Sequence, residues 1–349
     1  MAQLLRFTDK GIYCAAGDFY IDPWRGVDRA VITHAHSDHA RWGSKYYLAH
    51  KNSEPILRLR LGQDINLQTV DFGETLYMNG VKVSLHPAGH MIGSAQIRVE
   101  HEGEVWVASG DYKTEDDGVS GAFEPVRCNV FITESTFGLP VYKWKKQDDI
   151  FENINSWWLK NQQNKKTSML FCYSVGKSQR VIEHLDKSLG KIYAHAAVYN
   201  SQKAYVDFGL PVYPIPHWQY SKIKEEGTMI IAPPSAQNSP WMKRFEPLSV
   251  GVCSGWMQVR GAQRRSNADA GFALSDHADW PGLLSAIKET GASKVFVTHG
   301  YQSVFSRYLN EIGIEAQEVK TEYGDETNED IPLSVSGNEE EQITEEPAP

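Results

Sequence analysis

The segment Thr33-His34-Ala35-His36-Ser37-Asp38-His39 decides how this chain is read. It follows the apolar run Ala30-Val31-Ile32, so it opens where a strand pattern closes. Four metal-ligating side chains, His34, His36, Asp38 and His39, fall within six residues. Alternation at a strand end lets His34 and His36 point to one side. A turn then carries Asp38 and His39 round toward the same point. One tetrahedral ion takes at most four such ligands and usually fewer from one loop. The cluster therefore reads as one loop shared by two ions. Solvated loop histidines are the plainer reading, but histidine is rare, with 12 in the whole chain.

Working outward, three more ligand-type residues stand in matching settings. His90 lies in the Gly-punctuated loop Pro87-Ala88-Gly89-His90-Met91-Ile92-Gly93-Ser94. Asp111 follows a strand pattern in Ser109-Gly110-Asp111-Tyr112, and His299 ends another in Val297-Thr298-His299-Gly300. Alone, each is an ordinary turn aspartate or surface histidine. Their weight lies in the set.

The chain has 349 residues, 41% hydrophobic, 23% charged and 11% aromatic, enough for a large core and about two domains. No run of 18 apolar residues is present, which excludes a membrane-spanning helix. Met1–Arg6 lacks the apolar stretch of a signal peptide. Cys14, Cys128, Cys172 and Cys253 are scattered without a Cys-x-x-Cys. That excludes a disulfide scaffold and a cysteine-rich zinc site, and it fits a reducing cytoplasm.

Strands are expected near 30–33, 81–85, 95–99, 105–108 and 130–133, with a short helix at 53–61. From about 148 the texture changes to helices at 148–161, 176–189 and 199–208, between strands near 168–173, 191–195 and 228–232. After about 267 the first texture returns, with a helix at 281–290, a strand at 294–298 and a last helix over 302–312.

The net charge of -9 conceals an asymmetry. Residues 321–349 carry ten acids and no lysine or arginine, so the other 320 residues hold 34 of the 44 acids against all 35 bases. This tail reads as disordered and solvating; an alternative is a nucleic-acid mimic folding back on a basic groove. Between 135 and 276 there are 18 Lys/Arg and 11 Asp/Glu. Lys143, Lys145, Lys146, Lys243, Arg244, Arg260, Arg264 and Arg265 cluster there, which favours polyanion contact over a merely solvated face. Tyr173-Ser174-Val175-Gly176-Lys177-Ser178-Gln179-Arg180 precedes a helix pattern, so Ser174, Lys177 and Arg180 are candidate phosphate contacts. The bland alternative is N-capping by Ser174 or Ser178. Trp144, Trp218, Trp241, Trp256 and Tyr220 are candidates for stacking on bases, although most aromatics are core.

His-x-His-x-Asp-His, Gly-His, Gly-Asp and a late strand-ending histidine resemble the metallo-β-lactamase superfamily, in its expected order. Thr133-Glu134-Ser135-Thr136-Phe137-Gly138 and Leu274-Ser275-Asp276-His277-Ala278-Asp279 resemble two signatures of its β-CASP nucleases. The combination is more like the RNA-processing branch than the Artemis branch. Cys253-Ser254-Gly255-Trp256-Met257 and Gln258-Val259-Arg260-Gly261 further resemble a compact bacterial group of DNA ligase-associated exonucleases. The resemblance covers about 1–320.

It implies an α/β fold, an αββα sandwich over 1–136 and 267–320, with a β-CASP α/β insert at 137–266 that binds nucleic acid. It implies that His34, His36 and His90 hold one divalent ion, that Asp38, His39 and His299 hold the other, and that Asp111 bridges. Zinc is favoured and manganese kept open. Asp22 in Tyr20-Ile21-Asp22-Pro23 is similar to the first acidic motif and is expected to orient a ligand imidazole; an ordinary turn before Pro23 is the alternative. His277, held by Glu134, is expected to face the scissile phosphate as acid or counter-charge; a structural pair joining insert to core is its rival. Arg260 and Arg264 are expected to bind substrate.

The implied function is metal-dependent phosphodiester hydrolysis leaving a 5′-phosphate. The favoured form is a DNA exonuclease in repair, preferring single strands and partnered with an ATP-dependent DNA ligase and other repair enzymes. Rivals are an RNA-processing ribonuclease, a lactone or thioester hydrolase, and a binding module without catalysis.

Overall fold

Alternating apolar residues build two sheets that share one core. The computed structural model describes residues 3–216 and 227–319; the acidic tail, Trp218 and Tyr220 lie outside the described residues. The first sheet takes its six strands in chain order: β1 (Leu5–Thr8), β2 (Gly11–Cys14), β3 (Phe19–Ile21), β4 (Arg29–Val31), β5 (Tyr46–His50) and β6 (Leu67–Val70). Strands β7 (Thr75–Met78), β8 (Val81–Pro87), β9 (Ala95–His101), β10 (Glu104–Ala108) and β11 (Val130–Glu134) begin the second sheet. The third sheet comprises β12 (Thr167–Phe171), β13 (Ile192–Ala194), β14 (Met229–Ala232), β15 (Leu248–Cys253) and β16 (Ala270–Phe272). Strands β17 (Lys294–Thr298) and β18 (Glu315–Glu318) complete the second, whose order is β18-β17-β11-β10-β9-β8-β7. The helices are α1 (Glu54–Leu61), α2 (Gln147–Gln163), α3 (Lys177–His184), α4 (Ala196–Asp207), α5 (Arg260–Arg265), α6 (Trp280–Thr290) and α7 (Gln302–Glu311).

The period of two along each strand sorts its residues between two faces. Val81, Val83 and Leu85 of β8, Ile97 and Val99 of β9 and Phe296 of β17 meet Leu5, Phe19, Ile21 and Val31 of the first sheet. The alternate residues Val107, Phe131, Val295 and Val297 face outward onto Leu283, Ile287, Phe305 and Leu309 of α6 and α7. On the far side, Ala30, Ile32, Tyr47 and Ala49 pack beneath Ile56, Leu57 and Leu61 of α1. The layers are therefore helix, sheet, sheet, helix: an αββα sandwich.

The third sheet is parallel throughout, in the order β13-β14-β12-β15-β16. Parallel strands covered on both faces read as continuous apolar runs, as Met169-Leu170-Phe171 and Met229-Ile230-Ile231-Ala232 do. Leu170, Ile231 and Cys253 pack on Ile154 and Trp158 of α2 and Val181 of α3. Met169, Phe171 and Ile230 pack on Phe245, Trp256 and Phe137.

Two expectations need revision. Strand β16 pairs with β15, Gly251 to Ala270 and Cys253 to Phe272, so residues 270–272 lie in the third sheet and not the sandwich. The switch between units falls after Phe272, not at 266. The helix expected to reach 189 stops at His184, where Leu185 turns extended with ψ 144°. Asn155 Oδ1 there accepts a hydrogen bond from the Asp186 backbone N–H, at 3.1 Å.

Candidate metal centre and cleft

The carboxyl ends of β3, β4, β10, β11 and β17 converge on one point. Asp22 follows β3, the 33–39 loop follows β4, Asp111 lies just beyond β10, and Glu134 ends β11. Strand β17 pairs with β11 so that Thr298 lies opposite Glu134, which sets His299 beside Ser135. The packing is close: a Cβ on Gly300 (φ 70°) would lie 2.4 Å from Ser135 O. His90 comes from the turn between β8 and β9. There Gly89 (φ 75°) lets the chain pass Lys113, whose carbonyl oxygen would lie 2.5 Å from an added Cβ.

Two ligand groups result. His34, His36, His90 and Asp111 offer donor atoms within 4.8 Å of one another, and so do Asp38, His39 and His299. His34 Nε2 and His90 Nε2 each stand 3.1 Å from His36 Nδ1, and His34 Nε2 is 3.4 Å from Asp111 Oδ2. Ligands around a tetrahedral zinc at 2.0–2.1 Å are separated by about 3.3 Å, so the donors already have that spacing. Asp111 Oδ2 is also 3.4 Å from His39 Nε2, between the two groups.

The far side of each ring fixes its tautomer. His36 Nε2–H donates to Val175 O at 3.0 Å, and His90 Nδ1–H donates to Asp276 O at 2.9 Å. His39 Nδ1–H donates to Asp22 Oδ2 at 2.7 Å, and His34 Nδ1–H to Thr33 Oγ1 at 3.1 Å. Thr33 in turn donates its hydroxyl to Asp22 Oδ2 at 2.5 Å and its N–H to Asp22 Oδ1 at 2.8 Å. Lone pairs of His34, His36 and His90 are therefore turned toward one another, an arrangement a cation makes favourable. His39 Nε2 and Asp111 Oδ1 are buried with no hydrogen-bond partner among the described residues. The residues fit a pair of divalent ions.

Electrostatics agree at the three-histidine group. Burial pulls His34 and His90 well below the ordinary imidazole value, with neighbouring imidazoles adding to the effect, so both stay in the neutral, ligating form. Burial opposes ionisation of Asp38 and Asp111, but His39 beside them holds both well below the usual carboxylate range. Asp22 and His299 have positive φ, 43° and 52°, the kind of local strain that collects at working sites.

Across the cleft, His277 Nδ1 sits 2.9 and 3.0 Å from the two oxygens of Glu134, and its ring lies 4.6 Å from that of His90. Burial lowers the His277 pKa, yet the Glu134 carboxylate overcomes this and lifts it to about 10. Tyr112 N–H donates to Glu134 Oε1 at 2.8 Å and steadies the acid.

The remaining candidates separate. Lys177 lines the cavity shared by His36, His90, Asp111 and His277. Arg180 is only 2% exposed, and its guanidinium is bound by Ser275 O, Asp276 and Gln147; it lies under the cavity floor. Ser174 does not cap α3: Gly176 is the N-cap and its N–H donates to Gln179 Oε1 at 2.7 Å, while Ser178 Oγ donates back to Tyr173 O. Arg260 and Arg264 are exposed on α5. Lys143, Lys145 and Lys146 are exposed beside the cleft, because Trp144 Nε1–H donates to His277 O at 2.9 Å. Trp256 lines the cavity but is packed against Phe137, and Trp241 packs on Phe245.

Reasoning from sequence missed a buried ion network joining the two units. Lys113 Nζ lies 3.2 Å from Asp117 Oδ2, Arg180 Nε 3.8 Å from the same oxygen, and Arg180 Nη1 3.3 Å from Asp276 Oδ1. The backbone acceptors Val175 O and Asp276 O carry no residue-type signal either.

No family model matches the chain. It is 29% identical over 308 residues to a probable DNA ligase of Opitutus terrae, covering 88% of this chain and 30% of that protein. It is 25% identical over 182 residues to cleavage and polyadenylation specificity factor 73 of Drosophila melanogaster, covering 50% of this chain and 26% of that one. It is 29% identical over 125 residues to endoribonuclease YSH1 of Saccharomyces cerevisiae, covering 35% and 16%. The chain thus spans less than a third of the length of these relatives. A crystal structure of a protein of unknown function from Enterococcus faecalis V583 superposes with a TM-score of 0.58 at 12% identity, over 85% of this chain and 80% of that one. Motif order, sandwich and relatives together make the chain similar to the β-CASP nucleases of the metallo-β-lactamase superfamily. No described helix is long and apolar enough to cross a membrane.

Proposed function

We propose that the chain is a two-metal phosphodiesterase that hydrolyses nucleic acid, with DNA ends as its substrate. The observation that carries this is the facing of two charge centres across one cavity: the clustered ligands on one wall and the His277–Glu134 pair on the other. His34, His36 and His90 would hold one ion, Asp38, His39 and His299 the other, with Asp111 shared; zinc is favoured and manganese is the second candidate. Such a pair supplies a hydroxide nucleophile and neutralises charge on the phosphoryl oxygens. His277 stays protonated at neutral pH because Glu134 holds its other nitrogen, so it can neutralise the phosphate or give a proton to the leaving oxygen. Opening a lactone or thioester needs no such imidazolium, which weighs against a small-molecule hydrolase.

The exposed lysines at 143, 145 and 146, with Arg260 and Arg264, give the strand's backbone a cationic approach. A cavity walled by buried Trp256 and Lys177 suits a single strand or frayed end better than a duplex. Resemblance to the probable DNA ligase favours DNA as the substrate and a ligase partner. Resemblance to the endoribonuclease favours RNA as the second reading. Matched DNA and RNA strands, labelled at either end and incubated with zinc, manganese or magnesium, separate these. Stepwise DNA shortening is expected. RNA-only cleavage overturns the DNA reading, and no cleavage of either by metal-loaded protein overturns the nuclease.

A further inference from the structure

We infer that Thr136 is a further substrate-binding residue, its hydroxyl donating to a non-bridging oxygen of the phosphoryl group that His277 faces. The inference rests on the phosphodiesterase reading and deepens it. Thr136 is 7% exposed and lines the same cavity as Asp111, His277 and Lys177. Its Oγ1 is buried and has no hydrogen-bond partner among the described residues. Buried hydroxyls are almost always partnered, and one left over in a cavity of charged groups calls for an acceptor from outside.

The backbone holds Thr136 where it is. Two residues earlier, Glu134 is fixed by its bonds to His277 and Tyr112. Ser135 O accepts from Tyr301 N–H at 2.9 Å, and a Cβ on Gly300 would come within 2.4 Å of Thr136 Cα. One residue later, Phe137 is wedged against Gly255, where an added Cβ would meet its ring at 2.5 Å. The Thr136 backbone is therefore held in place at the cavity. It shares the cavity lining with His277, and Gly300, next to the candidate ligand His299, packs on its Cα. A tetrahedral oxyanion has an acceptor for each donor around it: the ions, His277, Lys177 and this hydroxyl. A carbonyl substrate presents one such oxygen and has no use for a fourth donor.

The test uses a DNA strand with a single phosphorothioate of defined stereochemistry at the cleaved bond. Thr136→Val removes the hydroxyl at nearly constant volume, and Thr136→Ser keeps it. Thr136→Val should lower kcat/KM on the all-oxygen strand by about 10–100-fold, the range of one hydrogen bond to a charged group, with metal content unchanged. Thr136→Ser should stay within about threefold of the parent, since it keeps the charged hydrogen bond. Sulfur is a poorer acceptor, so the parent should discriminate against one diastereomer more strongly than Thr136→Val does. Equal rates for parent and Thr136→Val, or an unchanged thio effect in that variant, overturns the inference while leaving the nuclease intact. A parent that cleaves no phosphodiester refutes the underlying reading instead.

Discussion

Replacing Asp22 by asparagine changes one atom of the supporting layer and should weaken the second ion. Two donors converge on Asp22 Oδ2: Thr33 Oγ1 at 2.5 Å and His39 Nδ1 at 2.7 Å. Oδ1 accepts a third, the Thr33 N–H, at 2.8 Å. Asparagine keeps one acceptor and offers an amide N–H₂ where the other stood. That amide faces His39 Nδ1–H, so the imidazole does best by moving its proton to Nε2, the nitrogen aimed at the ion. Asparagine is also tolerant of the positive φ of 43° at this position, so the backbone has no reason to rearrange. Loss of such a supporting partner weakens metal binding about 10–100-fold, or about 1.4–2.8 kcal/mol. The three-histidine group should lose less, because His34 is tied to Asp22 only through Thr33. Competition with a graded chelator, read by elemental analysis, should show Asp22→Asn releasing one ion per chain well before the parent does. Coincident release curves for parent and variant refute the argument that Asp22 sets the His39 tautomer.

The pH dependence should follow the Glu134–His277 pair. His277 is raised to about 10, so activity requiring its protonated form is full at neutral pH and lost as pH rises through that value; the pair's contribution to stability is full below about 6.5 and lost over the same rise. In Glu134→Gln the largest raising influence is gone while burial and Lys177 still lower the ring, so the loss moves down toward the ordinary imidazole value of about 6.5, at which only about 3% imidazolium remains at pH 8. The kcat/KM profile should fall about 30-fold there relative to the parent, and an unshifted alkaline limb refutes the role of Glu134. Asp117→Ala leaves Lys113 and Arg180 buried beside a missing partner and should destabilise folding by about 3–5 kcal/mol in denaturant titration; a change under 1 kcal/mol refutes that account of the network. Changing Lys143, Lys145 and Lys146 together to glutamine should reduce the slope of log affinity against log salt by up to about three. An unchanged slope puts the nucleic acid elsewhere.

The loops of the candidate metal centre were legible because their chemistry is local: His34, His36, Asp38 and His39 occupy a single turn, and Gly89 and Gly110 mark the close passages. The strands β8 to β11 and β17 were legible because they lie in the centre of their sheet and are strongly apolar. Short strands such as Gly11–Cys14 and Thr75–Met78 lacked a clear alternation, and Ala270–Phe272 follows the polar Asn267-Ala268-Asp269, which reads as a boundary. Arg180 read as a phosphate contact because it opens a helix after Gly-Lys-Ser. What turns it inward is Asp117 and Asp276, far off in the chain, and no local pattern encodes a partner at that distance. The carbonyls of Val175 and Asp276 that orient His36 and His90 are backbone atoms, available in principle at any residue.

As proposed, the site works only with two cooperating ions bound. Metal-stripped protein can be titrated with zinc, and separately with manganese, while cleavage of a labelled single strand is followed. Activity should stay negligible through the first equivalent per chain and rise through the second. Full activity in the stripped protein, or a plateau at one equivalent, contradicts the two-metal site.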